Sequence, residues 1–230
     1  MPDVTILPLE LGIRPRMFAD RRAAGRELAQ ALIHHAGTNA LVLGLPRGGV
    51  PVADEVARVL GATLDVWVVR KLGAPHRPEL GMGAIAEGPA VVLDRSIIRE
   101  LGVTRAEIIE VARREMTEVR RRVELFRKGR AAPELLGRTV IVVDDGIATG
   151  GTTRAAIRAI KKHRPARLVL AVPVASPDVV KSLRREVDEI VCLYQPEPMY
   201  AIGLWYEDFR QVPDEEVARI LARATNQPAG

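Results

Sequence analysis

The sequence predicts an α/β protein with a doubly wound, mainly parallel sheet and helices on both faces. Three observations carry this prediction. Short runs that are apolar almost throughout recur along the chain, as strands covered on both faces require. Segments with helical spacing and recognisable start and stop signals alternate with them. Glycine-rich junctions follow some of the strands, at the position where an open α/β sheet places its ligands.

Taken in order, a short tail leads to Phe18-Ala19-Asp20, where Asp20 is the expected N-cap of a helix carrying Ala24, Leu28 and Leu32 on one face. Residues 40–45 form an apolar strand, 50–60 a helix ended by Gly61, and 64–69 a second strand. Residues 140–143 make a strand, followed by a helix from 151 to about 163 that Pro165 stops. Residues 168–174 make another, followed by a helix opened by Ser176-Pro177, and 190–193 close the series. Two segments stand outside this alternation. In 81–94, apolar runs flank Glu87-Gly88-Pro89 and predict a β-hairpin. In 94–130, Thr104 and Glu107 form a capping box, and Ile108, Ala112, Met116, Val119, Val123 and Phe126 recur at helical spacing. A helix of about 23 residues would reach ~35 Å. Its apolar stripe is expected to pack on its own domain, and Arg113, Arg114, Arg120, Arg121 and Arg122, interleaved with glutamates, to form a solvated face. The chain is therefore expected to be one domain, 1–230, with a helical insertion at 94–130.

Composition limits the function classes. At 230 residues and 47% hydrophobic content the chain can bury a sizeable core. Its apolar runs, such as 168–172, fall far short of the ~18 residues of a membrane helix. Met1-Pro2-Asp3-Val4-Thr5 has no basic region leading into an apolar one, so a cytoplasmic location is expected. Cys192 is the single cysteine, which excludes an internal disulfide and a multi-thiolate zinc site; within an apolar run it reads as a core residue. The net charge of +5 suits a nucleic acid or an anionic small molecule. Residues 95–130 hold 11 Lys/Arg and 6 Asp/Glu, an excess equal to that of the whole chain. The interleaved acids weigh against nucleic acid, because they repel phosphates along the same helix.

The chemistry is concentrated in Val140-Ile141-Val142-Val143-Asp144-Asp145-Gly146-Ile147-Ala148-Thr149-Gly150-Gly151-Thr152-Thr153. Ala148, Thr149, Gly150, Gly151 and Thr152 lie between a strand end and a helix start. There glycines admit a phosphate, the hydroxyls of Thr149, Thr152 and Thr153 add donors, and the helix contributes unpaired amides. A nucleotide-hydrolysing loop would need Lys where Thr152 stands. Gly81-Met82-Gly83 matches a dinucleotide fingerprint in letters only, since Glu87-Gly88-Pro89 follows instead of a helix. Adjacent Asp144 and Asp145 at a strand end are costly to bury unless a ligand uses them, which suggests sugar hydroxyls. A second junction, Leu43-Gly44-Leu45-Pro46-Arg47-Gly48-Gly49-Val50, offers the amides of Gly48 and Gly49 and the forked cation of Arg47 to a diphosphate. Arg70 and Lys71 place two more cations at a strand end.

The first run resembles the phosphoribosyl pyrophosphate motif of the type I phosphoribosyltransferases, with Gly146 at a position that is usually aliphatic. The second is similar to that family's pyrophosphate loop, above all in the xanthine-guanine branch, and Arg70-Lys71 resembles the basic pair opening its flexible loop. The resemblance covers about 18–209 and is nearest to uncharacterised phosphoribosyltransferase-like proteins. It implies phosphoribosyl pyrophosphate as donor and a small nitrogenous acceptor, with inversion at the anomeric carbon and release of pyrophosphate, as in nucleotide salvage. Asp144, Asp145, Arg47 and Lys71 would be the catalytic groups. Mg²⁺ would be the cofactor, bound mainly through ligand oxygens with Asp144 and Asp145 as its protein contacts. Residues 72–80 and the hairpin 81–94 would form a lid. Segment 194–212 would form a C-terminal hood in which Trp205 and Tyr206, together with Ile147, contact the acceptor; Trp205 as a plain core residue stays an open alternative. Relatives carry a base-facing residue where Ile147 or Ala148 stands, and neither takes a proton, which leaves His76 on the lid as a candidate base. His34, His35 and His163 sit at expected helix ends and receive no role. A homodimer is expected. The alternative is a non-catalytic, regulatory phosphoribosyl pyrophosphate sensor that binds nucleic acid through the Arg-rich insertion.

Overall fold

The computed structural model describes residues 3–6, 17–88 and 90–225. A six-stranded parallel sheet is built from β1 (Asp3–Ile6), β2 (Leu41–Gly44), β3 (Thr63–Val66), β7 (Thr139–Val143), β8 (Arg167–Val174) and β9 (Glu189–Tyr194), in the order β1-β9-β8-β7-β2-β3. A three-stranded antiparallel sheet joins β4 (Val69–Ala74), β5 (Arg77–Ala86) and β6 (Ala90–Leu93). The helices are α1 (Arg21–Ala31), α2 (Gly49–Leu60), α3 (Arg95–Glu100), α4 (Arg105–Arg127), α5 (Gly151–Lys161), α6 (Pro177–Leu183) and α7 (Asp214–Thr225).

Strand alternation divides the core between the two faces of the large sheet. Ile141 and Val143 point into a core with Leu28 of α1, Val52 and Val56 of α2, and Ile220 of α7. Val140 and Val142 point the other way, against Ile157 and Ile160 of α5 and Leu183 of α6. Both faces are therefore buried, which explains strands apolar throughout. Cys192 lies in the second core, and burial pushes its thiol up to about 12, so it is packing and not a nucleophile. Among the described residues no helix is long and apolar enough to cross a membrane.

The local signals act as expected. Asp20 accepts the Ala23 N–H at 2.7 Å, Gly61 closes α2 in the left-handed region, and Ser176 with Pro177 opens α6. The Thr104–Glu107 capping box is formed at the start of the 23-residue α4. Its stripe packs inside the chain, with Val119 and Phe126 buried and Ile108, Ala112, Met116 and Val123 against the same core.

Four features differ from the sequence reading. The apolar stretch 64–69 is not one strand: β3 stops at Val66, Trp67 and Val68 cross over buried, and β4 starts the small sheet. No Gly or Pro marks the crossing, because Trp67 N–H bonds to the Gly44 carbonyl and Val68 N–H to the Glu87 carboxylate, so a buried path needs no turn. Part of the tail forms β1, whose four residues are too few to show periodicity. The hairpin gains β4 as a third strand, with Leu72 and Met82 fully buried. Finally, α7 covers α4 and α2 with Val217, Ile220 and Leu221.

Of the arginines expected on a solvated face of α4, Arg113, Arg114, Arg120 and Arg121 are exposed and Arg122 is partly buried; another arginine of the helix turns inward. Arg127 is 2% exposed. Its guanidinium meets Asp65 at 3.1 Å, donates to the Val66 carbonyl at 2.8 Å, and pairs with both oxygens of Glu87. This cluster ties α4 to the crossing between the two sheets. Burial raises the Glu87 pKa, against the pull of Arg127. Removing the cation would leave two buried carboxylates without it, so Arg127→Met should cost about 3–5 kcal/mol in urea unfolding. A loss below about 1 kcal/mol would show that the cluster does not hold α4 in place.

Candidate active site

The site begins with a register. β2 pairs with β7 so that Gly44 lies opposite Val143, and Leu45 N–H donates to the Val143 carbonyl at 2.8 Å. The Arg47-Gly48-Gly49 loop and the Asp144-Asp145 pair thus leave the C-terminal edge of the sheet side by side, though about a hundred residues separate them in sequence. They touch through the glycines. A Cβ on Gly48 would lie 1.9 Å from Asp145 Oδ2, and one on Gly49 would lie 2.6 Å from the Val143 carbonyl oxygen. No side chain fits at either position.

Both carboxylates are half-buried. Asp144 Oδ1 accepts the Asp145 N–H at 3.0 Å. Burial, and then the charge of Asp145, raise the Asp144 pKa well above the ordinary carboxylate range. Asp145 is also raised by burial, with Arg21 pulling it back down. Arg21 Nε meets Asp145 Oδ2 at 2.8 Å, and its Nη1 donates to the Arg210 carbonyl at 2.9 Å. The guanidinium lies 4.0 Å from the Phe209 ring centroid, a cation–π contact. The sequence reading missed Arg21. Its partners lie 124 and 189 positions away, so no local signal marks it.

The loop after Asp145 turns at Gly150, whose φ of 75° is available to glycine at little cost, and enters α5. Ala148, Thr149, Gly151 and Thr152 are exposed, and a Cβ on Gly151 would meet nothing within 4 Å. Thr153 is buried, so its hydroxyl is not among the exposed donors. Thr149, Gly151 and Thr152 line a cavity of about 880 Å³ together with Lys71. Leu80 and Val92 of the small sheet, and Arg95, complete much of its wall.

Other expected site residues are placed differently. Arg70 sits next to Lys71 on a strand and is drawn instead to Glu115 of α4, at 2.8 and 3.0 Å. Arg47 lies 3.8 Å from Asp214 at the start of α7. His76 is 90% exposed, 3.6 Å from Glu107, and lines a separate pocket with Glu100. Ile147 is buried and bridges to Ala175. Trp205 and Tyr206 are buried rather than open to a base. Trp205 stacks on Tyr194 at 6.0 Å, and the Tyr206 hydroxyl donates to the Asp145 carbonyl at 2.6 Å. The exposed large apolar side chains of the hood are Tyr200 and Leu204. Between them Ile202 packs onto Gly146, where a Cβ would lie 2.6 Å from Ile202 Cγ2. Glycine at that unusual position accommodates the hood.

The raised pKa values set a stability test. A carboxyl whose folded pKa lies above its unfolded value favours folding while protonated and costs stability as pH rises through the folded pKa. Asp144→Asn keeps the acceptor for Asp145 N–H and removes the charge. It should raise Tm by a few degrees at pH 8, with the difference shrinking toward pH 4, in a thermal melt series. A variant less stable than wild type at pH 8 would show that the ionised pair is not strained.

The phosphoribosyl transferase domain family matches residues 18–194. Two Mycobacterium tuberculosis proteins, from strains CDC 1551 and H37Rv and provisionally named phosphoribosyl transferases, are 47% identical over 209 residues, 91% of this chain. The chain spans about half the length of these curated relatives, 47% of each. The bifunctional protein PyrR of Deinococcus radiodurans is 30% identical over 182 residues, 67% of this chain and 98% of that protein. The crystal structure of TT1426 from Thermus thermophilus superposes with a TM-score of 0.78 at 44% identity, covering 90% of this chain and 98% of that one. The glycine loop set against the acid pair is thus found in a chain that belongs to the phosphoribosyl transferase domain family.

Proposed function

We propose that the protein transfers ribose 5-phosphate from phosphoribosyl pyrophosphate to a small nitrogenous acceptor, with Mg²⁺ present and pyrophosphate released. The observation that carries this reading is the contact of Gly48 and Gly49 with Asp145 and Asp144. It sets the Gly48-Gly49 backbone directly beside two carboxylates, with the exposed residues 148–149 and 151–152 a few positions further along the chain. The Gly49 N–H is spent on the Leu45 carbonyl at 3.0 Å, so of the two glycine amides expected for the diphosphate the Gly48 N–H would serve, beside Arg47.

Asp144 and Asp145 would accept hydrogen bonds from the ribose 2- and 3-hydroxyls. Their negative charge would favour the cationic sugar ring that develops as the anomeric bond to diphosphate breaks. The acceptor nitrogen forms the new bond, the diphosphate leaves with the electron pair, and the nitrogen's proton passes to solvent or to a basic group of the ligands. Amides of the loop entering α5 would hold the 5-phosphate. Arg47, drawn from Asp214, and Lys71, drawn from the Glu79 carbonyl, would meet the diphosphate. Two adjacent hard oxygen donors at a half-buried strand end fit Mg²⁺, which when bound would neutralise phosphate charge. Arg70 is assigned to the Glu115 pair and not to the diphosphate. For the acceptor we assign Tyr200 and Leu204, the exposed apolar side chains of the hood, in place of Trp205, Tyr206 and Ile147. Closure falls to the exposed residues 77–80, because Leu72 and Met82 anchor the rest of the small sheet.

The nucleic-acid sensor reading lacks a comparable observation. Glu118 holds both Arg121 and Arg122, and Glu115 holds Arg70 and Arg114, so much of the helix's basic charge is paired.

Incubation with phosphoribosyl pyrophosphate, Mg²⁺ and a panel of nucleobases should release pyrophosphate with one or more bases, and Lys71→Ala should lower kcat about 10²-fold. No release across the panel would sink the enzyme reading. Arg21→Met should move the midpoint of donor binding to higher pH, because Arg21 keeps Asp145 easier to ionise. An unchanged midpoint in pH-resolved binding would remove Arg21 from the site.

A further inference from the structure

A second group of chemically suited side chains lies at the opposite edge of the sheet. Glu189 and Arg167 open β9 and β8, whereas Asp144 follows the end of β7; in parallel strands these are opposite edges. The Glu189 side chain is 3% exposed. Two imidazoles from the turn after α1 converge on it: His34 Nε2 lies 2.9 Å from Oε1 and His35 Nε2 lies 3.1 Å from Oε2. One ligand atom from each residue falls within 4.8 Å of the others, the single such group of three among the described residues.

Bonds from a first-row divalent ion to His nitrogen and carboxylate oxygen run ~2.0–2.2 Å, which sets neighbouring ligand atoms roughly 3.0–3.5 Å apart. The two N–O separations lie close to that spacing already. Two imidazoles and one carboxylate suit zinc-like ions better than Mg²⁺ or Ca²⁺, which take oxygen ligands. Arg167 donates to Oε2 at 2.9 Å, a partner that orients the carboxylate from behind. The His35 side chain is 7% exposed, so its ring is held in place by packing as well as by Glu189. The His34 side chain is 51% exposed and leaves an entry path for the ion and room for water to complete the shell.

We propose that His34, His35 and Glu189 form a binding site for one divalent first-row transition ion, with zinc as the test ion. The ion fastens the end of α1 to the N-terminal edge of the sheet, closing a loop of more than 150 residues. Its role is structural, since it lies across the sheet from the acid pair and contributes to folding by binding the folded chain alone.

The chelator-stripped full chain, titrated with ZnCl₂ in the absence of Mg²⁺ and phosphoribosyl pyrophosphate, should bind one equivalent and gain Tm. His34→Ala, a change at a half-exposed position that spares the buried pair, should weaken zinc binding at least tenfold and abolish the Tm gain. Asp144→Asn should leave both unchanged. The proposal is overturned by absence of saturable zinc binding, by equal affinity in His34→Ala, or by loss of binding in Asp144→Asn, which would place the ion at the acid pair.

Discussion

The candidate site depends on one close contact, that of two glycines with two carboxylates. Parallel pairing of β2 with β7 sets Gly44 opposite Val143, and the loops that follow have no room to diverge. Any side chain at position 48 would occupy the space of the Asp145 carboxylate. The remaining features support this contact from behind: Arg21 holds the Asp145 carboxylate, Tyr206 holds its carbonyl, and the Phe209 ring covers Arg21. The hood therefore acts on the acid pair through the Tyr206 hydroxyl and through Arg21 of α1, which the Phe209 ring and the Arg210 carbonyl hold, while Tyr200 and Leu204 stay exposed. Such an arrangement keeps two like charges close together in a half-buried place, which folding alone would not favour.

Charge is managed in the same way elsewhere. The excess of +5 coincides with α3 and α4, yet α4 distributes its cations inward and sideways. Arg127 enters the core, Arg121 reaches Asp214 of α7, and Arg121 and Arg122 together hold the Glu118 carboxyl at about 2. Asp214 is also paired with Arg47, so α4, α7 and the Arg47-Gly48-Gly49 loop meet at one carboxylate. A helix that looks like an addition in sequence is thereby coupled to the loop that would carry the leaving group.

The failures of sequence reading share a cause. The apolar stretch 64–69 divides because Trp67 and Val68 satisfy their backbone groups with Gly44 and Glu87, partners no local pattern reveals. Arg127 carries the same charge as its neighbours on α4, and its burial follows from Asp65 and Glu87 arriving from other elements. Residue type leaves Trp205 open between a ligand platform and the core and suggests a ligand for Tyr206, whereas the packing of Tyr194 against Trp205 and of Phe18 against Tyr206 makes both internal. By contrast, α7 is legible along the chain, since Pro213 and three acids precede Val217, Ile220 and Leu221 at helical spacing.

By itself the sequence determined what depends on neighbours along the chain. Strand and helix alternation, the caps at Asp20, Thr104 and Ser176, and the composition of the two glycine-rich loops are all set by residues within a few positions of one another. Tertiary structure alone decided which cations face the cavity, which aromatic rings remain open, and that Arg21, His34, His35 and Glu189 acquire their present partners. Arg21 meets Asp145, and His34 and His35 meet Glu189, across more than 120 positions, while Arg70 with Glu115 and Trp205 with Tyr194 are closer in sequence; in every case the geometry exists only once the elements have packed.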